Sequence, residues 1–205
     1  MIPVGVTSYR IHEHPRLLEL TRTCLHSILS QRECDPPYVV LHDQCSDDET
    51  IRMLRSEFPI AVFHEDTSGV ARAWNFLCKH VFSEEPYIVL LNNDVELLPG
   101  SLKVLIEFER ENKRQIIYAD TYGFSAFLLP KEVYERIGPF DEWYRFSTED
   151  WDYMRRLKNA GVPVVRCPGF KVKHEERATR KYVKEDWEGL DRISEAHFWE
   201  VWGKG

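Results

Sequence analysis

Residues 87–102, YIVLLNNDVELLPGSL, start as a buried strand and turn polar within one residue. Four consecutive aliphatic side chains, Ile88 to Leu91, are followed by Asn92, Asn93 and Asp94, then Glu96 and a Pro99–Gly100 break. A run with no polar alternation fits a strand buried on both faces, which belongs to a parallel sheet covered by helices. Two amides and a carboxylate at its tip are either ordinary turn chemistry or the holder of something charged.

The chain upstream fits the parallel reading. Residues 2–7, IPVGVT, YVVLHD ending at Asp43, and IAVFHE at 60–65 read as further strands. Helices alternate with them. The first runs from Pro15 through Leu17, Leu20, Cys24, Leu25 and Ile28, the second opens at a Ser46–Glu49 capping box, and the third is capped by Ser68, with Val70, Ala73, Trp74, Leu77 and Val81 facing inward. The second half is mixed. A helix near 100–113 precedes strand-like IIYAD and GFSAFLLP, a short helix between Pro130 and Gly138, and the aromatic segment GPFDEWYRF. A helix capped by Thr148 and stopped at Gly161, a strand in VPVVRCP and an amphipathic helix from 184 to the end complete the chain. The expected fold is α/β: a single domain with a mostly parallel central sheet flanked by helices. A nucleotide-binding half (1–118) is followed by a mixed acceptor and catalytic half (119–175), then a basic loop and C-terminal helix (176–205).

Bulk properties narrow the function. The 205 residues are 43% hydrophobic and carry a net charge of −7, which disfavours nonspecific nucleic-acid binding. Five cysteines without a C-x-x-C pair point to reduced thiols rather than disulfides or zinc. MIPVGVTSYR lacks a basic region followed by an apolar stretch, so no signal peptide is expected; no apolar run approaches bilayer length, and the expected compartment is the cytoplasm. Against the acidic background, KVKHEERATRKYVK at 171–184 is locally basic.

In open parallel sheets, ligands sit beyond the carboxyl ends of the strands, where Thr7–Ser8–Tyr9, Asp43, Glu65–Asp66 and Asn92–Asn93–Asp94 fall. Mg²⁺ or Mn²⁺ suits a site of one or two carboxylates whose remaining contacts come from a substrate phosphate. Glycine-rich phosphate loops are absent, so metal and basic side chains must neutralise any phosphorylated ligand. Glu149, Asp150 and Asp152 need no role beyond the helix dipole, and His174 between lysines reads equally as a solvated side chain.

The ordered set VGVTSYR, LHDQCSDDET, TSGVARAWNFL, LLNNDVELLPGSL, GFSAFLLPKEVYERIGPFDE and STEDWDYMRRLKNAG, followed by KHE at 173–175, resembles the family 2 glycosyltransferases with the GT-A fold, from residue 2 to about 175. The resemblance implies an inverting transferase that moves a sugar from a UDP or dTDP donor to a hydroxyl acceptor, a glycan foremost, with Mn²⁺ or Mg²⁺. It places Thr7 and Tyr9 in the nucleotide pocket, Asp43 on a pyrimidine N–H, and Arg72 and Asn75 along the nucleotide-sugar site. It gives Asp94 and His174 to the metal and Asp150 to the general base, with Glu149 competing. The family's D-x-D is here Asn92-Asn93-Asp94, so amides at Asn92 and Asn93 would contact ribose or a metal-bound water, and the loop after Asp43 lacks the glycine often found there. Phe140, Trp143, Tyr144 and Phe146 are stacking surfaces for a sugar ring or core. Arg177, Arg180 and Lys181 suggest a lid over the diphosphate, and the last helix packs back on the domain or, second, makes a homodimer or membrane-surface contact. Two other functions compete: a nucleotidyltransferase, disfavoured by the lack of a glycine- and arginine-rich loop in VTSYRIHEHP, and a non-catalytic glycan- or nucleotide-binding module, disfavoured by the presence of both Asp94 and Asp150.

Overall fold

The computed structural model describes residues 1–119 and 124–203. Asp120 and Gly123, expected to be strand residues, and the last two residues of the C-terminal segment lie outside it. Seven strands form one sheet in the order β3-β2-β1-β4-β7-β6-β8, where β1 is Ile2–Tyr9, β2 Pro37–Gln44, β3 Ala61–Glu65, β4 Tyr87–Asn92, β6 Ile116–Tyr118, β7 Ala126–Pro130 and β8 Val164–Arg166. The pairs among β1 to β4 are all parallel; β7 runs antiparallel to both β4 and β6, and β8 lies parallel to β6. All of β1 is buried, as a central parallel strand must be.

Two hydrophobic layers cover the sheet. On one face Val4, Val6, Leu41, Val89 and Leu91 meet Leu17 and Leu25 of α1 (Pro15–Leu29), Leu54 of α2 (Asp48–Glu57) and Leu105 of α4 (Ser101–Glu111). On the other, Val40, Leu90, Phe127 and Leu129 meet Trp74 and Leu77 of α3 (Val70–Val81), Val133 of α5 (Lys131–Ile137) and Tyr153 and Leu157 of α6 (Glu149–Asn159). Gly5 marks where α3 presses hardest on the sheet. A Cβ there would stand 3.0 Å from both Leu77 Cδ1 and Leu90 Cδ2.

Three expected helix caps differ from the structure, each because its hydroxyl has another partner. The Ser46 hydroxyl donates to Asp43 and accepts from the Ile11 N–H, so Asp47 caps α2 by accepting from the Thr50 N–H at 2.8 Å. The Ser68 hydroxyl bonds Arg145, which leaves Gly69 at φ 145° to open α3. Thr148 sits in the left-handed region, and its hydroxyl donates to the Ser147 carbonyl rather than capping α6.

The ribbon of β5 (Val95–Leu97) and β9 (Val172–His174) was not expected; it pairs Val95 with His174. Within the basic segment, Ala178–Tyr182 forms a short helix, α7, that packs on α1: the Tyr182 ring stacks on His14 at 4.2 Å. The final helix, α8 (Trp187–Trp202), buries Gly189, Ser194 and Phe198. Ile193 and Val201 of the same helix are exposed.

Candidate active site

A cavity of about 180 Å³ opens at the carboxyl ends of β1 and β4, among Thr7, Ser8, Tyr9, Gln44, Asn92, Asn93 and Asp94. Phe146, His174, Arg177, Arg180 and Trp187 enclose it from the second half of the chain. The parallel strands bring the first group together, and the ribbon brings in His174. The β5–β9 pairing and the Glu175 N–H bond to the Asp94 carbonyl, 3.0 Å, hold His174 Nε2 at 3.2 Å from Asp94 Oδ1.

That contact lacks hydrogen-bond geometry, so Asp94 Oδ1 is a buried carboxylate oxygen without a donor. Asn92 Oδ1 is likewise buried and unpartnered. Buried oxygens ordinarily find donors, and an orphaned carboxylate oxygen 3.2 Å from an imidazole nitrogen, with the Asn92 oxygen on the same cavity, is what a hard divalent cation would use. No group of three or more His, Cys, Asp or Glu side chains suited to a metal occurs among the described residues. The donor set therefore fits a sparse site completed by a ligand's own oxygens.

Asn93 is turned away from any such cation. Its amide donates to Thr21 Oγ1 of α1 at 2.8 Å and its backbone N–H to the Thr7 carbonyl at 3.1 Å, so it pins the strand tip to the helix. Tyr9 faces the cavity with its ring 4.9 Å from Phe146. Its hydroxyl donates to Glu185 at 2.9 Å, and burial followed by that bond pushes the phenol well above its ordinary range.

Asp43 is fully buried. Its carboxylate accepts from Ser8 Oγ at 2.6 Å, Ser46 Oγ at 2.8 Å and the Ser46 N–H at 3.2 Å, with His64 Nδ1 at 3.1 Å. Those four neighbours occupy the acceptor directions a carboxylate has, so a base could reach Asp43 only by displacing one. Arg72 and Asn75 stand outside the cavity as well. The Arg72 guanidinium pairs with Glu65 at 3.0 Å and Glu142 at 3.5 Å. The buried Asn75 amide accepts from the Phe140 N–H and the Tyr134 hydroxyl and donates to the Phe140 carbonyl and Glu142, which staples α3 to the loop before α6. Trp143 is 46% exposed and stacks on His197 of α8 at 3.8 Å. Phe140 and Tyr144 are core; of the aromatic segment, Phe146 reaches the cavity.

At the start of α6, Asp150 Oδ1 accepts its neighbour's N–H, from Trp151, at 2.9 Å, and burial raises its carboxyl above the usual carboxylate range. Glu149 is 8% exposed; burial first, and the Asp150 charge second, raise it too. Asp150 does not line the cavity. The link runs through Arg180, whose charge acts on Glu149 and whose side chain borders the cavity. Its guanidinium grips Asp191 at 2.6 and 2.7 Å and donates to the Phe146 carbonyl at 3.3 Å. Arg177 lies at φ 61° on the same rim.

Several enclosing residues carried no local signal in the sequence. Gln44 fixes the entry to α3 by a two-way amide bond with Gly69, 3.2 and 3.1 Å, while Trp187 comes from the far end of the chain, where Glu185 accepts from the Tyr9 hydroxyl. Only the aromatic and basic character of their neighbourhoods was visible beforehand.

Solved structures with the same fold include S. aureus TarS, with a TM-score of 0.68, 14% identity, and coverage of 97% of this chain and 40% of that one. A second is GalNAc-T7 with UDP, GalNAc and Mn²⁺, with a TM-score of 0.68, 11% identity, and coverage of 85% and 44%. TarS 1-349 in complex with UDP has a TM-score of 0.63, 15% identity, and coverage of 80% and 58%. The chain thus spans less than two thirds of the length of each of these structures. No curated protein sequence matches it. The family model described as glycosyl transferase family 2 matches residues 16–176, which include every strand tip of the cavity but that of β1, so this chain is a member of glycosyl transferase family 2.

Proposed function

We propose that the protein transfers a sugar from a UDP-type nucleotide sugar to a hydroxyl acceptor with inversion, assisted by a divalent metal, and that Asp150 is the general base. The observation that carries the reading is the pairing of Asp94 and His174 at 3.2 Å on a cavity that Arg177 and Arg180 also line. Asp94 and His174 would hold Mn²⁺ or Mg²⁺, with Asn92 offering a neutral oxygen. The metal would supply charge neutralisation for the departing nucleoside diphosphate. The UDP of the TarS complex and the UDP and Mn²⁺ of GalNAc-T7 support this choice of donor and cofactor.

The chain's own groups divide the remaining work. Thr7 and Tyr9 bind the nucleoside at the end of β1, with Asp43 holding the loop beneath the base. Arg177, on the cavity rim, would offer a cation to phosphate oxygens, and Arg180 could do so by giving up part of its grip on Asp191. Asp150 takes the proton of the acceptor hydroxyl as that oxygen bonds the anomeric carbon, and the bond from that carbon to the diphosphate oxygen breaks with its electrons leaving on phosphate. Trp143 offers an exposed ring to an acceptor sugar. A nucleotide sugar needs more room than about 180 Å³, and donor binding is expected to shift Trp187 on the cavity rim.

Hydrolysis of UDP-sugars, with water as acceptor, tests the assignment. Asp150→Asn is expected to lower turnover by about 10²–10⁴-fold while UDP binding persists. A variant as active as the parent would remove Asp150 from the chemistry.

A further inference from the structure

Glu149 is the buried ionisable group in this region with the least provision for its charge. Its side chain is more than nine-tenths buried, and Oε2 has no hydrogen-bond partner. Among the described residues, the cation acting on it, Arg180 of α7, spends its guanidinium on Asp191 of α8 and on the Phe146 carbonyl. The other charges facing Glu149 are Asp191 and its helical neighbour Asp150, both negative. Its own backbone N–H and the α6 dipole favour the anion, but they weigh less than loss of water and the Asp150 charge. A carboxyl so placed keeps its proton instead of carrying an uncompensated charge.

We propose that Glu149 is held as a neutral carboxylic acid at neutral pH, so that residues 149 and 150 share one negative charge and that charge resides on Asp150. The inference rests on the reading of Asp150 as the base. Two adjacent carboxylates that feel each other's charge cannot both ionise readily, and their protons leave in two steps that belong to the pair. Burial separates these two by degree: Asp150 is partly exposed and holds the Trp151 N–H, whereas Glu149 is enclosed. Glu149 is therefore a positioning residue. By staying neutral it spares Asp150 a second negative neighbour, and Asp150 becomes available as a base at a lower pH than it otherwise would.

The experiment follows the carboxyl carbons of ¹³C-labelled glutamate in the whole chain by NMR across pH 4 to 9. Expected is one glutamate still protonated near pH 7, missing from Glu149→Gln and titrating at lower pH in Asp150→Asn. Should Glu149→Gln not fold, the downward move in Asp150→Asn identifies the resonance. In UDP-sugar hydrolysis, Glu149→Gln, whose amide mimics the neutral acid, should stay within about threefold of the parent, against a loss of about 10²-fold or more in Asp150→Asn. All glutamates ionised by pH 6, or a Glu149→Gln as inactive as Asp150→Asn, would overturn the inference. Undiminished turnover in Asp150→Asn would instead overturn the assignment of the base and leave the Glu149 titration standing.

Discussion

Asp94 and His174 are each under 15% exposed and meet without a proper hydrogen bond, which is an unfavourable arrangement unless something else uses both. Replacing either by Ala should leave the fold intact and abolish the part of UDP binding that depends on Mn²⁺, as read by calorimetry with and without EDTA. The pair at 149 and 150 gives two pH predictions. As the proposed base, Asp150 would have to be ionised, and burial raises it, so the acid limb of the pH–rate profile should lie above the range of an ordinary aspartate. For stability the sign is set by Glu149. Its folded-state value is raised, so its contribution is present at low pH and is lost as pH rises from the carboxylate range through that raised value. Urea unfolding should show the parent losing stability relative to Glu149→Gln over that interval. At this scale the sequence was only partly legible. Asp94 and His174 stand out within an ordered motif set, while the filling of the Asp43 carboxylate by Ser8 and His64 and the stapling role of Asn75 depend on distant partners that no local pattern encodes.

Elements were easier to read than side-chain partners, because apolar periodicity is a property of one segment alone. The strands of the parallel half and helices α1 to α4 follow directly from it. The β5–β9 ribbon was missed, since three-residue strands are too short to show alternation and owe their existence to each other. The caps failed for a related reason: Ser46, Ser68 and Thr148 have the right side chains but spend them elsewhere. Packing at the α3–sheet contact should be unforgiving. Gly5→Val would drive a branched side chain into Leu77 and Leu90 and is expected to cost about 1–3 kcal/mol, measured by urea unfolding.

Across the whole molecule, the cavity is assembled from both ends of the chain. β1 supplies Tyr9, the last helix supplies Trp187, and Glu185 joins them by accepting from the Tyr9 hydroxyl and pairing with Arg10 at 3.0 Å. On the proposed reading, nucleotide entry loosens that closure and is then covered by it. Cleavage by trypsin within 177–184 should therefore slow when UDP and Mn²⁺ are present; identical cleavage in both states would count against a moving cover. No helix among the described residues is long and apolar enough to cross a membrane. The central claim is that Asp94 and His174 hold a metal against a nucleoside diphosphate, and thermal unfolding tests it most directly. UDP with Mn²⁺ should raise the melting temperature of the parent well beyond UDP alone, and Asp94→Ala should lose that increment. An increment that survives in Asp94→Ala, or UDP stabilisation indifferent to Mn²⁺, would contradict it.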